Sequence, residues 1–375
     1  MPIRKFVAPE IVFGSGALEL VGQYARNLAG RKVLLVSDEG VKEAGWVAKV
    51  ESSLRASGLE VVLFDRVAVN PRADGVMEGA RLYLEEGCDL TVAVGGGSPM
   101  DCAKAIGIVA ANRCHVSEFE GVDMVPVPGP PIICIPTTAG SSADVSQFAI
   151  ITEERRKFAI ISKSLVPDLT LIDPRTTSTL TRELIASIGM DAFSHAFEAY
   201  VSNASSPLTD LHALEAVRLL SNDLPRFYED RRDGEARDRV MLASLHAGLA
   251  FSNASLGLVH AMAHSMGGNY GVAHGECAAL LLEAVVEFNF PAAPERYGRL
   301  GATMTGREGT SLEDLLNELR DLRLRLGIDG GLQRLGLRRE DIPHLSRNAS
   351  RDPCLATNPR TTTTKDIERL YERAA

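Results

Sequence analysis

The sequence predicts a chain in two parts, an α/β domain built on a parallel sheet followed by an all-helical domain. Three observations lead there. Up to about residue 173, short β-branched runs alternate with stretches of helical character. After "DPRTTSTL" the strand signal disappears, and from about residue 182 apolar residues recur with a helical period to the end. The length, 375 residues, also exceeds what one hydrophobic core usually serves. The expected domains are residues 1–180 and 181–375, with Pro174 and a Thr/Ser cluster marking the link near 175–182.

In the first part, "KVLLVS" (32–37), "EVVLF" (60–64), "LTVAV" (90–94) and "IICIP" (132–136) read as strands, with helix-like stretches such as 41–57 and 73–86 between the early ones. Such alternation means βαβ units, and strands buried on both sheet faces read as continuous apolar runs. "FAIIT" (148–152), "KFAII" (157–161) and "LTLID" (169–173) are expected to be further strands of the same domain. The second part carries amphipathic helices in "TDLHALEAVRLLSNDL", "DRVMLASLHAGLAFS", "LEDLLNELRDLRLRLG" and "TKDIERLYERA".

Composition narrows the function. With 45% hydrophobic and 24% charged residues the chain reads as an ordinary globular protein. A net charge of -9, with both signs interspersed, argues against a nucleic-acid partner, which wants a basic face. The six cysteines form no CxxC pair and no disulfide-framework spacing, which fits a reducing cytoplasm. No run is long and apolar enough for a membrane span, the first residues lack the apolar core of a signal peptide, and no repeat is evident. The expectation is a cytoplasmic protein without membrane association.

"LTVAVGGGSPMDCAKAIG" (90–107) is a strand, a three-glycine turn and a helix with Pro99 in its first turn. Glycines let the backbone approach a ligand closely, and a helix N-terminus offers unpaired N–H groups and the positive end of a dipole, so a pyrophosphate is a natural guest. The sequence is neither GxGxxG nor a Walker A loop, and a tight turn without a ligand is the competing reading. A second polar loop, "PTTAGSSADVS" (136–146), brings hydroxyls at Thr137, Thr138, Ser141 and Ser142 that either bond a nucleotide or cap a turn. Asp38, directly after the first of these strands, suits a ribose 2′-hydroxyl and repels a 2′-phosphate, favouring NAD; it is equally placed to cap the helix of "DEGVKEA".

"GMDAFSHAFEAY" (189–200) opens a helix with Asp191 and His195 one turn apart, and "VHAMAHSMGGNYGVAHG" (259–275) repeats that spacing in His260 and His264. Glycines 267, 268 and 271 are expected to break the second helix, so that His274 returns on a loop or a new helix start. One carboxylate with two or three imidazoles is how proteins hold a catalytic divalent ion such as Fe2+ or Zn2+. Its chemistry would be Lewis-acid polarisation of a carbonyl or alcohol oxygen, and with a dinucleotide on the other domain the parts describe hydride transfer across an interdomain cleft.

At these residues the chain resembles the iron-containing (group III) alcohol dehydrogenases, a superfamily that includes lactaldehyde reductase and shares a fold with dehydroquinate synthase. The resemblance runs from "FGSGALE" through "GGGSPMDCAKAIG", "IPTTAG", "GMDAFSHAFEAY" and "GLVHAMAHSMGG" to "NPRTTTTKDIERLY". It implies a Rossmann-like N-terminal domain, a helical metal-binding domain, a homodimer, and metal ligands at Asp191, His195, His260 and His274. It also implies NAD contacts at Asp38, Asn70, Gly95, Gly96, Gly97, Ser98, Asp101, Thr137, Thr138, Ser141, Lys157 and Leu180. His264 matches a position near the reacting centre that is usually not a ligand, and a proton relay is the role expected for it here; Phe251 and Cys354 match positions lining the substrate pocket.

Two departures from the family pattern stand out. "PTTAGTGSEVT" becomes "PTTAGSSADVS", with Ser142-Ala143-Asp144 for Gly-Ser-Glu; "HGxxNAxLLPHV" becomes "HGECAALLLEAV", with Ala278 for Asn and Glu283-Ala284 for Pro-His. The expected activity is metal-dependent, NAD-linked interconversion of a small primary alcohol and its aldehyde. The "SSADVSQFAII" variant resembles alcohol-dehydrogenase-like regulatory proteins, which makes a weakly catalytic binder of NAD and metal the alternative. A non-redox synthase on the same fold is a further rival, disfavoured because neither histidine motif contains the Lys or Arg a phosphorylated substrate would need.

Overall fold

The computed structural model describes residues 5–154 and 156–375. Its first part contains β1 (Glu10–Phe13), α1 (Val21–Asn27), β2 (Lys32–Val36), α2 (Glu39–Glu43), α3 (Trp46–Ala56), β3 (Glu60–Phe64), α4 (Ala73–Glu85), β4 (Leu90–Gly95), α5 (Gly97–Asn112), β5 (Gly121–Val122), β6 (Ile132–Pro136), β7 (Phe148–Glu153), β8 (Arg156–Ile161) and β9 (Leu169–Ile172). Six strands pair in parallel in the order β1-β9-β6-β4-β2-β3. The continuous apolar runs now have a cause. Val33 and Leu35 of β2 enter one core with Trp46, Val50 and Leu54 of α3, while Leu34 and Val36 enter the core on the opposite face with Val76 of α4 and Ile106 of α5.

Three details differ from the sequence expectations. β1 has no counterpart there; "EIVF" is short, exposed at both ends, and recognisable as a strand only through its pairing with β9. The helix expected over 41–57 is two helices, because Gly45 takes a left-handed conformation that ends α2 and starts α3. β7 and β8 do not extend the parallel sheet but pair antiparallel, with β5 beside β8, in a separate three-stranded sheet.

The second part is helical throughout: α6 (Arg182–Val201), α7 (Pro207–Glu229), α8 (Gly234–Ala254), α9 (Leu258–Tyr270), α10 (His274–Asn289), α11 (Pro294–Thr305), α12 (Leu312–Arg325), α13 (Ile342–Ala349) and α14 (Thr364–Ala374), with short 3-10 turns between some of them. Every residue of α6 from Gly189 to Val201 is buried, and α7, α8 and α10 pack around it. By contacts the chain forms two compact units. One comprises Val7–Thr138 and Ser142–Thr179; the other comprises Leu180–Ala375 with Ala139–Ser141, Lys5 and Phe6. Gly140 belongs to the helical unit because it docks on α6, where a side chain would collide with Ile188: a Cβ would stand 2.7 Å from the Ile188 carbonyl oxygen. Among the described residues no single helix is long and apolar enough to cross a membrane.

Candidate metal centre

α6 begins at Arg182, capped by the Thr181 hydroxyl accepting from Leu184 N, so "GMDAFSHAFEAY" lies in the middle of a long helix and does not open one. Asp191 and His195 therefore sit where both neighbouring turns are fixed. α9 carries His260 and His264, and it continues through Gly267 and Gly268 to Tyr270; only Gly271, left-handed at its C-cap, ends it. His274 is the first residue of α10. Buried packing of α9 outweighs the helix-weakening effect of two glycines, about 1 kcal/mol each.

Three imidazoles converge on one carboxylate oxygen. Asp191 Oδ1 is 3.8 Å from His195 Nε2, 3.8 Å from His260 Nε2 and 3.6 Å from His274 Nε2. These separations are too long for hydrogen bonds, and Asp191 Oδ1 and His260 Nε2 are both buried with no hydrogen-bond partner among the described residues. Ligands at about 2.1 Å around a tetrahedral ion stand about 3.4 Å apart, and the donor atoms of Asp191, His195 and His260 all lie within 4.8 Å of one another, so these three fit a divalent metal, with His274 beside Asp191. The rings are also locked. His195 stacks between His260, 4.5 Å away, and Phe251, 4.3 Å away, and His264 stacks on His274 at 5.3 Å.

The electrostatics favour ligand forms at two positions. Burial raises the Asp191 carboxyl, but its interactions with the surrounding imidazoles of His195, His274 and His260 outweigh it, leaving the group well below the usual carboxylate range. Burial lowers His195 to about 3 despite the attraction of Asp191, which keeps its imidazole neutral with a lone pair to give. His260 goes the other way: burial lowers it, yet Asp191 and Glu198 together raise it to about 9, so a metal ion there displaces a proton.

Around this cluster lies a second set of contacts. His264 Nδ1 is 2.8 Å from Asp352 Oδ2, and Asp352 Oδ1 accepts from Cys354 N at 2.8 Å. Burial raises the Asp352 carboxyl, but the charge and hydrogen bond of His264 bring it down to about 2, while burial pushes the Cys354 thiol well above its ordinary value. His264, Asp352 and Cys354 thus form one group, and Phe251 covers His195. Sequence reasoning missed Asp352 and Glu198. The available signal for Glu198 was a lone acid in the apolar "HAFEAY", on the same helix as Asp191 and His195; Asp352 gave none, because its partner is 88 residues away.

In the other unit, Asp38, Gly95 to Ser98, and Thr137 and Thr138 stand at the carboxyl ends of the adjacent parallel strands β2, β4 and β6, where α/β sheets bind ligands, whereas Asn70 follows β3, Asp101 lies in α5 and Lys157 lies in β8. Gly95, with φ +153, leads into Gly96 and α5, whose N-terminus has no side-chain cap. Gly95 O accepts from Thr137 N at 2.8 Å, and a Cβ on Gly96 would stand 3.2 Å from the Thr138 hydroxyl. Lys157 Nζ donates to Asn70 Oδ1 at 2.7 Å, and Asn70 N donates to the Ser98 hydroxyl at 3.2 Å. Asp101 accepts from Ile150 N, and burial pushes its carboxyl up to about 6 against the charge of Lys104. Asp38 caps α2, its Oδ1 accepting from Val41 N at 2.9 Å. Ser141 and Leu180 fall in the helical unit.

The sequence departures have structural partners. Ser142, in a glycine position of the family motif, is buried at φ +49. Buried Asp144 accepts from the Thr170 hydroxyl at 3.2 Å. Glu283 on α10 holds Arg320 and Arg323 of α12, and Ala278 is fully buried in α10.

Comparison with known proteins gives the family. A family described as iron-containing alcohol dehydrogenase matches residues 8–174, and the C-terminal region of the Fe-containing alcohol dehydrogenase family matches 185–375. The chain is 40% identical to alcohol dehydrogenase 4 of Schizosaccharomyces pombe, covering 100% of this chain and 90% of that protein. It is 35% identical to an NAD-dependent methanol dehydrogenase of Bacillus methanolicus, covering 98% and 99%. The crystal structure of a 1,3-propanediol oxidoreductase matches with a TM-score of 0.97 at 35% identity, covering all of both chains. With both halves of the sequence matched and the fold shared along its whole length, the chain belongs to the iron-containing alcohol dehydrogenase family.

Proposed function

We propose that the protein interconverts a small primary alcohol and its aldehyde, with NAD as the hydride carrier and a divalent ion, Fe2+ or Zn2+, held by Asp191, His195, His260 and His274. The observation that carries this reading is the convergence of three imidazole nitrogens on the buried Oδ1 of Asp191, which has no hydrogen-bond partner among the described residues. The names of relatives support the carrier and the substrate class: one is an NAD-dependent methanol dehydrogenase and others are 1,3-propanediol dehydrogenases.

When bound, the ion supplies a Lewis acid for the substrate oxygen, and NAD supplies the hydride acceptor. The protein's residues do the rest. Asp191 brings the negative charge that balances the cation. Phe251 and the ring stack around His195 hold the imidazoles in place and keep water away from them. His264 is suited to move the alcohol proton: its Nδ1–H donates to Asp352, which leaves Nε2 as the basic atom. On the other unit, the N-terminus of α5 offers N–H groups to the pyrophosphate, with Asn70, Ser98 and Lys157 beside them and Asp38 reading the ribose. Cys354 lines the substrate pocket with Phe251.

The test is NADH oxidation by protein reconstituted anaerobically with Fe2+, against a panel of short aldehydes, with a chelator control and His260→Ala. Chelator-sensitive turnover that His260→Ala abolishes, together with its bound metal, is the expected result. Silence across the panel with metal and NADH both bound would instead make the chain a regulatory binder, and full metal occupancy in His260→Ala would refute the ligand assignment.

A further inference from the structure

Glu198 lies on α6 one turn beyond His195, is buried, and carries no role in the reading above. Among the described residues, the four hydrogen bonds of its carboxylate all run to the start of α9. Oε2 accepts from Gly257 N at 2.9 Å, from His260 N at 3.3 Å and from His260 Nδ1 at 2.7 Å, and Oε1 accepts from Val259 N at 2.6 Å. The first N–H groups of a helix have no partner within it, and normally the N-cap side chain supplies one. Here the N-cap is Gly257, so the acceptors come from elsewhere: Glu198 from α6, and Asn358, whose Oδ1 accepts from Leu258 N at 3.2 Å. Gly257 makes room for both, since a Cβ there would stand 2.8 Å from Asn358 Oδ1 and 2.9 Å from Glu198 Oε1.

We propose that Glu198 is a positioning residue for the metal ion, acting through His260. A carboxylate only accepts, so the hydrogen in the 2.7 Å contact belongs to Nδ1 of His260. That fixes the tautomer and leaves the lone pair on Nε2, the atom 3.8 Å from Asp191 Oδ1 with no other partner among the described residues. The same oxygens hold the backbone on either side of the ring. One side chain therefore sets the height of α9 against α6, the rotation of the imidazole and the nitrogen it presents, which together determine whether His260 meets the ion. Asn358 shares the capping but does not touch the ring, so the two roles separate by mutation.

This inference rests on the metal assignment, and the experiment distinguishes their failures. Co2+ and Zn2+ affinities are measured by competition with a chromophoric chelator for the wild type, Glu198→Gln and Asn358→Ala, and the metal-free melting midpoint is measured for each. In Glu198→Gln one acceptor oxygen becomes an NH2, which must face either the α9 backbone or the imidazole N–H. The expected result is metal affinity about 10- to 100-fold weaker than wild type. Asn358→Ala, which removes a cap from the same helix end, should lower the melting midpoint while keeping metal affinity within about threefold, a change worth under 1 kcal/mol. Glu198→Asp, a methylene shorter, serves if Glu198→Gln does not fold, and should weaken metal binding in the same direction. Unchanged affinity in the Glu198 variants, or an equal loss in Asn358→Ala at a matched melting midpoint, overturns the proposal. Failure of the wild type to bind either ion overturns the metal assignment and this inference with it, and shows before any variant is compared.

Discussion

Gly275 packs against the backbone of Ser187 so closely that a Cβ on it would lie 1.9 Å from the Ser187 carbonyl oxygen, and 2.9 Å from Cβ of Asp191. This is what lets the start of α10 approach α6 and brings the adjacent His274 to 3.6 Å from Asp191 Oδ1. No rotamer change relieves a clash with main chain. Gly275→Ala should therefore push α10 outward, costing about 1–3 kcal/mol of stability and most of the metal affinity. Thermal unfolding and metal content of the purified variant check this; a variant that melts lower but keeps full metal affinity would show that His274 is not a ligand.

Asp38 has two candidate tasks that one substitution separates. Asparagine caps helices about as well as aspartate, so Asp38→Asn should keep the bond from Val41 N and lose less than about 0.5 kcal/mol. It loses the charge that disfavours a 2′-phosphate. The ratio of kcat/KM for NADP over NAD should then rise about tenfold, or about 1.4 kcal/mol. An unchanged ratio would assign ribose recognition to another group.

Asp101 makes a pH-dependent prediction. Burial, the largest influence, raises its folded-state pKa to about 6, whereas an unfolded aspartate titrates near 3.9 or so. Between those values the folded chain binds more protons than the unfolded one, so this group makes stability fall as pH rises from about 4 to about 6 and stay lower above that. Asp101→Asn removes the charge and can still accept from Ile150 N. The variant should match the wild type near pH 4 and exceed it by about 1–2 kcal/mol at pH 7.5, after discounting for partial exposure. Denaturant midpoints at the two pH values test this. Weaker NADH binding in the same variant is expected from the proposed cofactor contact.

The parts legible in the sequence are those whose signal is local. β2, β4 and β6 announce themselves because both sheet faces are covered and every position must be apolar. Asp191, His195 and His260 stand out because their spacings are helical. β1 was invisible because its four residues are half exposed and its partner strand is more than 150 residues later. The extent of α9 was misjudged because packing overrides the propensity of Gly267 and Gly268. Glu198 and Asp352 escaped for a third reason: what makes each important is a hydrogen bond to a histidine 62 or 88 residues away.

Those separations also have a meaning in time. A ribosome adds about 5–20 residues per second, so the carboxylate that orients His264 is synthesised roughly 4–18 s after it, and Asn358 follows Leu258 by a similar delay. Glu198 precedes His260 by 62 residues, so that carboxylate is already in place when its histidine is made. His264 and the start of α9 therefore wait, during synthesis, for partners that the last part of the chain brings, and the contacts that Asp352 and Asn358 make close only once nearly the whole chain exists.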